Sequence, residues 1–230
     1  MSKEIVDQIY ITLLLAQKPY GDKQLYHKLL GELIKDLCQK GLAVVDDINI
    51  FEGAKKRYVS NLYMKAESLF NTMNFSKLKN ENLISYLKSE SDFLVLADYY
   101  RNAYYGLFYL CRALFVSLDN YDCSEHKDLW QKLKKLIEDT KKEIGLKESA
   151  LEKLSDQAKK DQISESVKKE IDLLVKYQAI ESYHLRLKDF REIGDYSMIE
   201  KSRSDLADPN NLEDAYESLK HALCEWSELK

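Results

Sequence analysis

The stretch LADYYRNAYYGLFYLCRALF, residues 96–115, decides the fold of this chain. Its large apolar and aromatic side chains recur three or four residues apart, which is the period of a helix face. They are Leu96, Tyr100, Tyr104, Phe108, Cys111 and Phe115. Further leucines widen that face until it covers nearly the whole circumference, and a helix that is apolar nearly all round is buried. We therefore predict a long core helix that begins near Asp92.

Helical spacing continues on both sides of this segment. Apolar residues trace one helix face over residues 51–73, and similar faces predict helices within 124–145, over 171–196 and after Pro209. The chain has only 2 prolines and 7 glycines, against roughly 11 and 16 at average usage. Because these two residues are the strongest helix breakers, the sequence predicts an all-α protein.

Residues 1–50 form a predicted N-terminal helical extension, with the main bundle over residues 51–230. Apolar spacing predicts one helix within residues 3–17 and a second from Asp22 to Gly41. An alternative pairs residues 42–45 with residues 55–59 as two strands, which would be the wing of a winged-helix DNA-binding protein fused to the bundle. The continuous helix face over 51–73 is the competing prediction.

The charge balance limits the classes of partner. The 35 basic and 39 acidic residues nearly cancel, so a contact with nucleic acid must be local rather than a bulk electrostatic effect. Residues 138–170 are rich in lysine and acidic side chains, which predicts a charged helical hairpin that is either a solvated surface or a lysine-lined strip touching RNA phosphates.

Several kinds of site and segment have no motif here. No phosphate-binding loop, dinucleotide fingerprint or metal-ligand spacing is present, so we predict no cofactor and no metal. The apolar run Ile9–Ala16 is too short to cross a membrane. Four scattered cysteines without ligand spacing indicate reduced thiols, and hence a cytoplasmic protein.

Four segments, taken together in their order, resemble a known family. They are YMKAESL at residues 63–69, NAYYGLF at 102–108 followed by Arg112, SEH at 124–126 and REIGDY at 191–196. The set resembles the HEPN family of helical domains over about residues 54–230. The resemblance implies an up-and-down bundle of four to five helices and a homodimer. In many members it also implies a ribonuclease site in which an arginine is followed by four to six residues and then a histidine.

That ribonuclease motif is incomplete in this chain. Cleavage at a 2′-hydroxyl needs a group that moves protons and a cation that stabilises charge on phosphorus. Here Tyr196 follows Arg191 at the expected distance, and no arginine has a histidine four to six residues later. The chain thus resembles the subgroup often paired with minimal nucleotidyltransferases. This implies binding of RNA or nucleotide phosphate in a toxin–antitoxin or antiviral defence system; an enzyme of this kind would be a metal-independent ribonuclease using Arg191 and Tyr196.

Six further residues are candidates for binding nucleotide or RNA. They are Arg101, Asn102, Tyr105, Arg112, His126 and Asp195. Arg191 and Asp195 lie one helical turn apart, so they form either a structural pair or an arginine oriented toward an anion.

The remaining candidates also have structural alternatives. Arg101 and Arg112 share a helix face and would either join Arg191 in a phosphate pocket or make salt bridges. Of Tyr104 and Tyr105, at most one faces a groove. His126 opens a helix and is either a terminal residue or a functional one.

The predicted partners are RNA or a nucleotide, a second copy of the chain, and a nucleotidyltransferase antitoxin or other protein bound through residues 1–50. No membrane partner is predicted. A second hypothesis makes the chain a non-catalytic interaction scaffold that docks its partner through residues 1–50.

Overall fold

The computed structural model describes residues 6–11, 32, 49–73, 90–119, 121–123, 125–196 and 208–227. Five long helices lie in these ranges: α1 (Asn49–Thr72), α2 (Glu90–Asp119), α3 (His126–Lys153), α4 (Gln157–Tyr196) and α5 (Pro209–Ser227). Residues 6–11 are also helical, and no strand occurs in the described part of the chain. The predicted all-α helical bundle is therefore confirmed. No helix within these ranges is long and apolar enough to cross a bilayer.

The strand predicted over residues 55–59 as an alternative is wrong, because these residues lie inside α1. The helical period decided the outcome: α1 buries Ala54, Leu62 and Ala66, which recur at multiples of four residues along one face. A wing would need that segment as its second strand, and the segment that would pair with it, residues 42–45, lies outside the described residues. So do most of the helices predicted over 3–17 and 22–41.

The chain divides into two compact units, and α2 contributes to both. The first unit comprises Met1–Asn71 and Tyr105–His126, and the second comprises Thr72–Tyr104 and Lys127–Lys230. Each unit therefore draws on segments that are far apart in the sequence.

The core of the first unit joins the helical residues 6–11 to α1 and to the C-terminal half of α2. Its buried members are Val6, Tyr10, Ala54, Leu62, Ala113 and Val116. An ion pair lies beside this core, where Arg57 Nε donates to both carboxylate oxygens of Asp7 at 3.0 Å. The first unit is thus held by contacts between residues about fifty positions apart.

The second unit contains a helical hairpin of α3 and α4, connected by residues 154–156. The Asp156 carboxylate accepts a hydrogen bond from the Ala158 amide at 3.1 Å, which caps the start of α4. Lys147 on α3 forms an ion pair with Glu170 on α4 and donates to Ser166 Oγ at 3.2 Å. These contacts link the two arms of the hairpin in antiparallel pairing.

The start of α5 combines two sequence signals for a helix N-terminus, a capping aspartate and a proline at the first helical position. Pro209 occupies the first helical position, where its missing amide hydrogen costs nothing. The Asp208 carboxylate accepts from the Asn210 amide at 2.8 Å, and the Asp208 carbonyl accepts from the Leu212 amide at 3.1 Å. Leu212 and Leu219 are then buried on the inner face of the helix.

Two buried tyrosines of α2 predict a loss of stability at alkaline pH. Burial is the largest cause of the raised pKa values of Tyr99 and Tyr100. An unfolded chain ionises tyrosine near pH 10 while the folded chain keeps these protons, so stability falls as pH rises above about 10. We expect a fall of about 1.4 kcal/mol per pH unit for each tyrosine, measured as urea midpoints through this range. Tyr100→Phe should make the fall shallower, and a flat profile in the parent would contradict the prediction.

Candidate nucleic-acid interface

A stripe of aromatic and basic side chains lies on the part of α2 that belongs to the first unit. Tyr105, Phe108, Tyr109 and Arg112 are spaced at i, i+3, i+4 and i+7, which places them on one helix face. Phe108 is buried, whereas Tyr105 and Tyr109 are half-buried. The two tyrosines therefore keep part of their surface accessible to a ligand.

The imidazole of His126 packs against this stripe. Its ring stacks on Phe108 with 4.1 Å between centroids and an interplanar angle of 26°. It also meets the Tyr105 ring edge to face at 5.3 Å. His126 is half-buried and is the first residue of α3, as the sequence predicted. Two of the predicted binding residues, Tyr105 and His126, are thus in direct contact.

Lys65 of α1 adds an exposed cation to the same surface. Its Nζ lies 5.4 Å from the centroid of the Tyr109 ring, within the range of a cation–π contact. Lys65 was missed as a candidate from the sequence, although it lies in one of the segments that carry the family resemblance. We call Lys65, Tyr105, Tyr109 and His126 the aromatic–cation surface.

Arg112, on the same face of α2, is half-buried and forms an ion pair with a buried carboxylate. Its Nε and Nη2 donate to the two carboxylate oxygens of Asp122, both at 2.7 Å. The Tyr58 hydroxyl donates to Asp122 Oδ2 at 2.5 Å and accepts from Arg112 Nη2 at 3.1 Å. Asp122 is only 1% exposed. The sequence did not predict that Asp122 and Tyr58 would hold Arg112.

Within this triad of Tyr58, Arg112 and Asp122, the surroundings raise the pKa values of Arg112 and Tyr58. Burial opposes the charge on Arg112, but hydrogen bonds and attraction from Asp122 outweigh it, so the pKa of Arg112 is raised. Burial and then the Asp122 hydrogen bond raise the pKa of Tyr58. Arg112 therefore makes a salt bridge, which was the structural alternative, and Asp122 accepts hydrogen bonds from two of its three nitrogens.

A second cluster surrounds Arg191 in the other unit. The Arg191 Cζ lies 4.5 Å from the centroid of the Tyr104 ring. Trp130 Nε1 donates to the Tyr104 hydroxyl at 3.2 Å, and His184 stacks on Trp130 with 3.7 Å between centroids. Tyr104, Trp130 and His184 are buried, while the Arg191 side chain is 16% exposed. Trp130 and His184 belong to this cluster, although the sequence assigned neither a role.

The other predicted residues make local contacts. Arg101 forms an ion pair with Asp98 one turn earlier on α2. Asn102 Nδ2 donates to Thr72 Oγ1 at 3.0 Å. Arg101 and Arg191 belong to the second unit and Arg112 to the first. The side chains of Asp195 and Tyr196 lie outside the described part of the structure.

The aromatic–cation surface has the chemical groups by which proteins bind single-stranded nucleic acids. Half-exposed aromatic rings stack on bases without regard to sequence, and an exposed ammonium attracts phosphate. No family model, curated protein or solved structure matches this chain. The candidate site therefore depends on this geometry and on the motifs in the sequence.

Proposed function

We propose that this chain is a HEPN-like protein that binds RNA or a nucleotide phosphate through the aromatic–cation surface of its first unit. The contact between Tyr105 and His126, at 5.3 Å, carries the proposal. These two residues were predicted as ligand contacts from separate sequence segments. Their meeting on a partly exposed surface, with Lys65 on the neighbouring Tyr109 ring, supports a common role.

Each group on the surface has a distinct task in this proposal. Lys65 is exposed and contacts a phosphate, while Tyr105 and Tyr109 offer ring surface to a base. His126 is fixed in orientation by Phe108 and donates a hydrogen bond to a phosphate or sugar oxygen. The attraction is local, as the net charge of −4 requires.

The triad of Tyr58, Arg112 and Asp122 packs against the aromatic rings of this surface through Arg112. The Arg112 guanidinium lies 5.7 Å from the Phe108 centroid and 5.6 Å from the Tyr109 centroid. Because Asp122 holds that guanidinium with two hydrogen bonds, the two rings have a fixed base to pack on. Arg112 is thus a positioning residue for the surface rather than a ligand contact.

The wider role follows from the resemblance. A missing histidine after Arg191 favours binding over cleavage, and the resemblance to nucleotidyltransferase-associated proteins supports a toxin–antitoxin or antiviral defence setting. In this proposal residues 1–50 dock a protein partner such as a nucleotidyltransferase antitoxin. Arg191 would contact an anion in its own unit, where the Tyr104 ring orients its guanidinium.

Replacement of Lys65 by alanine is expected to weaken binding of single-stranded RNA about tenfold and to lower the salt dependence by about one phosphate contact. The reason is that Lys65 supplies an exposed positive charge to the proposed surface. Fluorescence anisotropy of a labelled short oligouridylate, titrated at several salt concentrations, measures both quantities. His126→Gln tests the imidazole on the same probe.

A control lysine is available in the second unit. Lys220 is also exposed and its Nζ lies 5.8 Å from the Tyr216 centroid, while it forms an ion pair with Glu217 at 3.0 Å. Lys220→Ala should leave RNA affinity unchanged. Equal weakening by both lysine variants would show non-specific charge attraction, and an unchanged affinity in Lys65→Ala would overturn the proposed surface.

A further inference from the structure

One exposed face of α4 has the spacing of a helix-pairing seam. Seven residues follow each other at alternating intervals of three and four: Lys168, Ile171, Val175, Gln178, Ser182, Leu185 and Asp189. All seven are exposed. Three large apolar side chains share this exposed face: Val175 is 59% exposed, Leu185 50% and Ile171 40%.

This seam lies opposite the face by which α4 packs into its own unit. Tyr177, Ile180, His184 and Leu187 are the buried residues in this stretch, and they recur at three or four residues on the other side of the helix. The seam is therefore separate from the packing contacts of the second unit and from the cluster around Arg191.

The seam is complementary to the same seam on a second copy of the chain when the two α4 helices run in opposite directions. Ile171 and Leu185 lie equally far from Gln178, seven residues on either side. In an antiparallel pair of α4 helices centred there, Ile171 of each copy meets Leu185 of the other, and Val175 lies against the small side chain of Ser182. The two Gln178 amides meet at the two-fold axis, where each can donate to and accept from the other.

The charges favour the same antiparallel arrangement. Reversal places Lys168 beside Asp189 of the second copy and Asp172 beside Arg186 of the second copy. These four residues are exposed, and Arg186 also lies 3.6 Å from Asp214 of its own α5. A parallel pair would instead set each charge against its own like, which is unfavourable.

We propose that the α4 seam is a self-association surface at which a second copy of this chain packs its own α4 in antiparallel orientation. The two-fold arrangement follows from the apolar spacing and from the opposite charges that reversal brings together. The proposal is independent of RNA binding, because α4 lies wholly in the second unit.

Charge-reversal variants at two seam positions, made in the full chain, test whether the seam mediates self-association. Lys168→Asp sets two acidic residues together and Asp189→Lys sets two lysines together, so each single variant should raise the dimer dissociation constant at least about tenfold. The double variant restores opposite charges and should return to within about threefold of the parent. Sedimentation velocity over a range of protein concentrations gives these constants.

The control is Glu52→Lys, an exposed charge reversal on α1 in the other unit, which should leave the constant unchanged. Val175→Asp, at a position that is already exposed, should abolish association without unfolding the chain, as circular dichroism would show. A parent protein that stays monomeric at all concentrations overturns the proposal. So does a dimer that ignores the reversals, or a double variant no better than the singles.

Discussion

Asp122→Ala is expected to lower the free energy of unfolding by about 3–5 kcal/mol, because it leaves a buried guanidinium without its carboxylate. Asp122 is 1% exposed and the Arg112 side chain 13%, so water cannot readily replace the lost contact. The change also removes the acceptor of the Tyr58 hydroxyl. Urea denaturation followed by circular dichroism measures the loss.

Two companion variants make this result specific. Asp98→Ala breaks an exposed pair with Arg101 and should cost no more than about 1 kcal/mol. Replacing both buried charges, Arg112→Met with Asp122→Leu, should cost less than Asp122→Ala, since an apolar pair leaves no charge unpaired. A loss below about 1 kcal/mol in Asp122→Ala would mean that the triad does not hold the first unit.

Trp130→Ala is expected to destabilise the second unit by about 3–5 kcal/mol, the usual cost of removing a buried indole. Trp130 is 7% exposed, stacks on His184 and donates to the Tyr104 hydroxyl. The variant thus leaves a cavity and removes one polar contact together. Thermal and urea unfolding, compared at matched pH, give the change.

Trp130→Phe keeps most of the ring contact with His184 and should lose less. Leu146→Ala on the same helix is the control for surface truncation: Leu146 is 72% exposed, so it should change stability by about 0.5 kcal/mol or less. Equal losses in Trp130→Ala and Leu146→Ala would contradict the buried cluster.

The helices could be predicted from the sequence because their information is local. The stripe from Leu96 to Phe115 and the scarcity of glycine and proline specify long helices regardless of what packs on them. The α1 segment was ambiguous only where residues 55–59 also suited a strand. Burial of Ala54 and Leu62 on one face resolved it in favour of the helix.

The candidate site could be predicted only in part, because its partners are set by tertiary contacts. Arg112 meets Asp122 because the chain turns back after α2. The sequence predicts a turn over residues 117–123, but it does not say which side chain of the turn reaches Arg112. In the sequence Lys65 has the pattern of any exposed helix charge, because its contact with the Tyr109 ring joins two helices that are distant along the chain. The pairing of His184 with Trp130 joins two helices and leaves no local trace in either.

The most direct measurement of the central claim is photocrosslinking of a 4-thiouridine-labelled single-stranded RNA to the full chain, followed by mass spectrometry of the attached peptides. Binding at the aromatic–cation surface predicts adducts on the peptides that contain Tyr105, Tyr109 or Lys65. Their yield should fall in Lys65→Ala when the RNA concentration is near the parent's dissociation constant. Adducts confined to α4 and α5, or no adduct at an RNA concentration that saturates anisotropy, would contradict it.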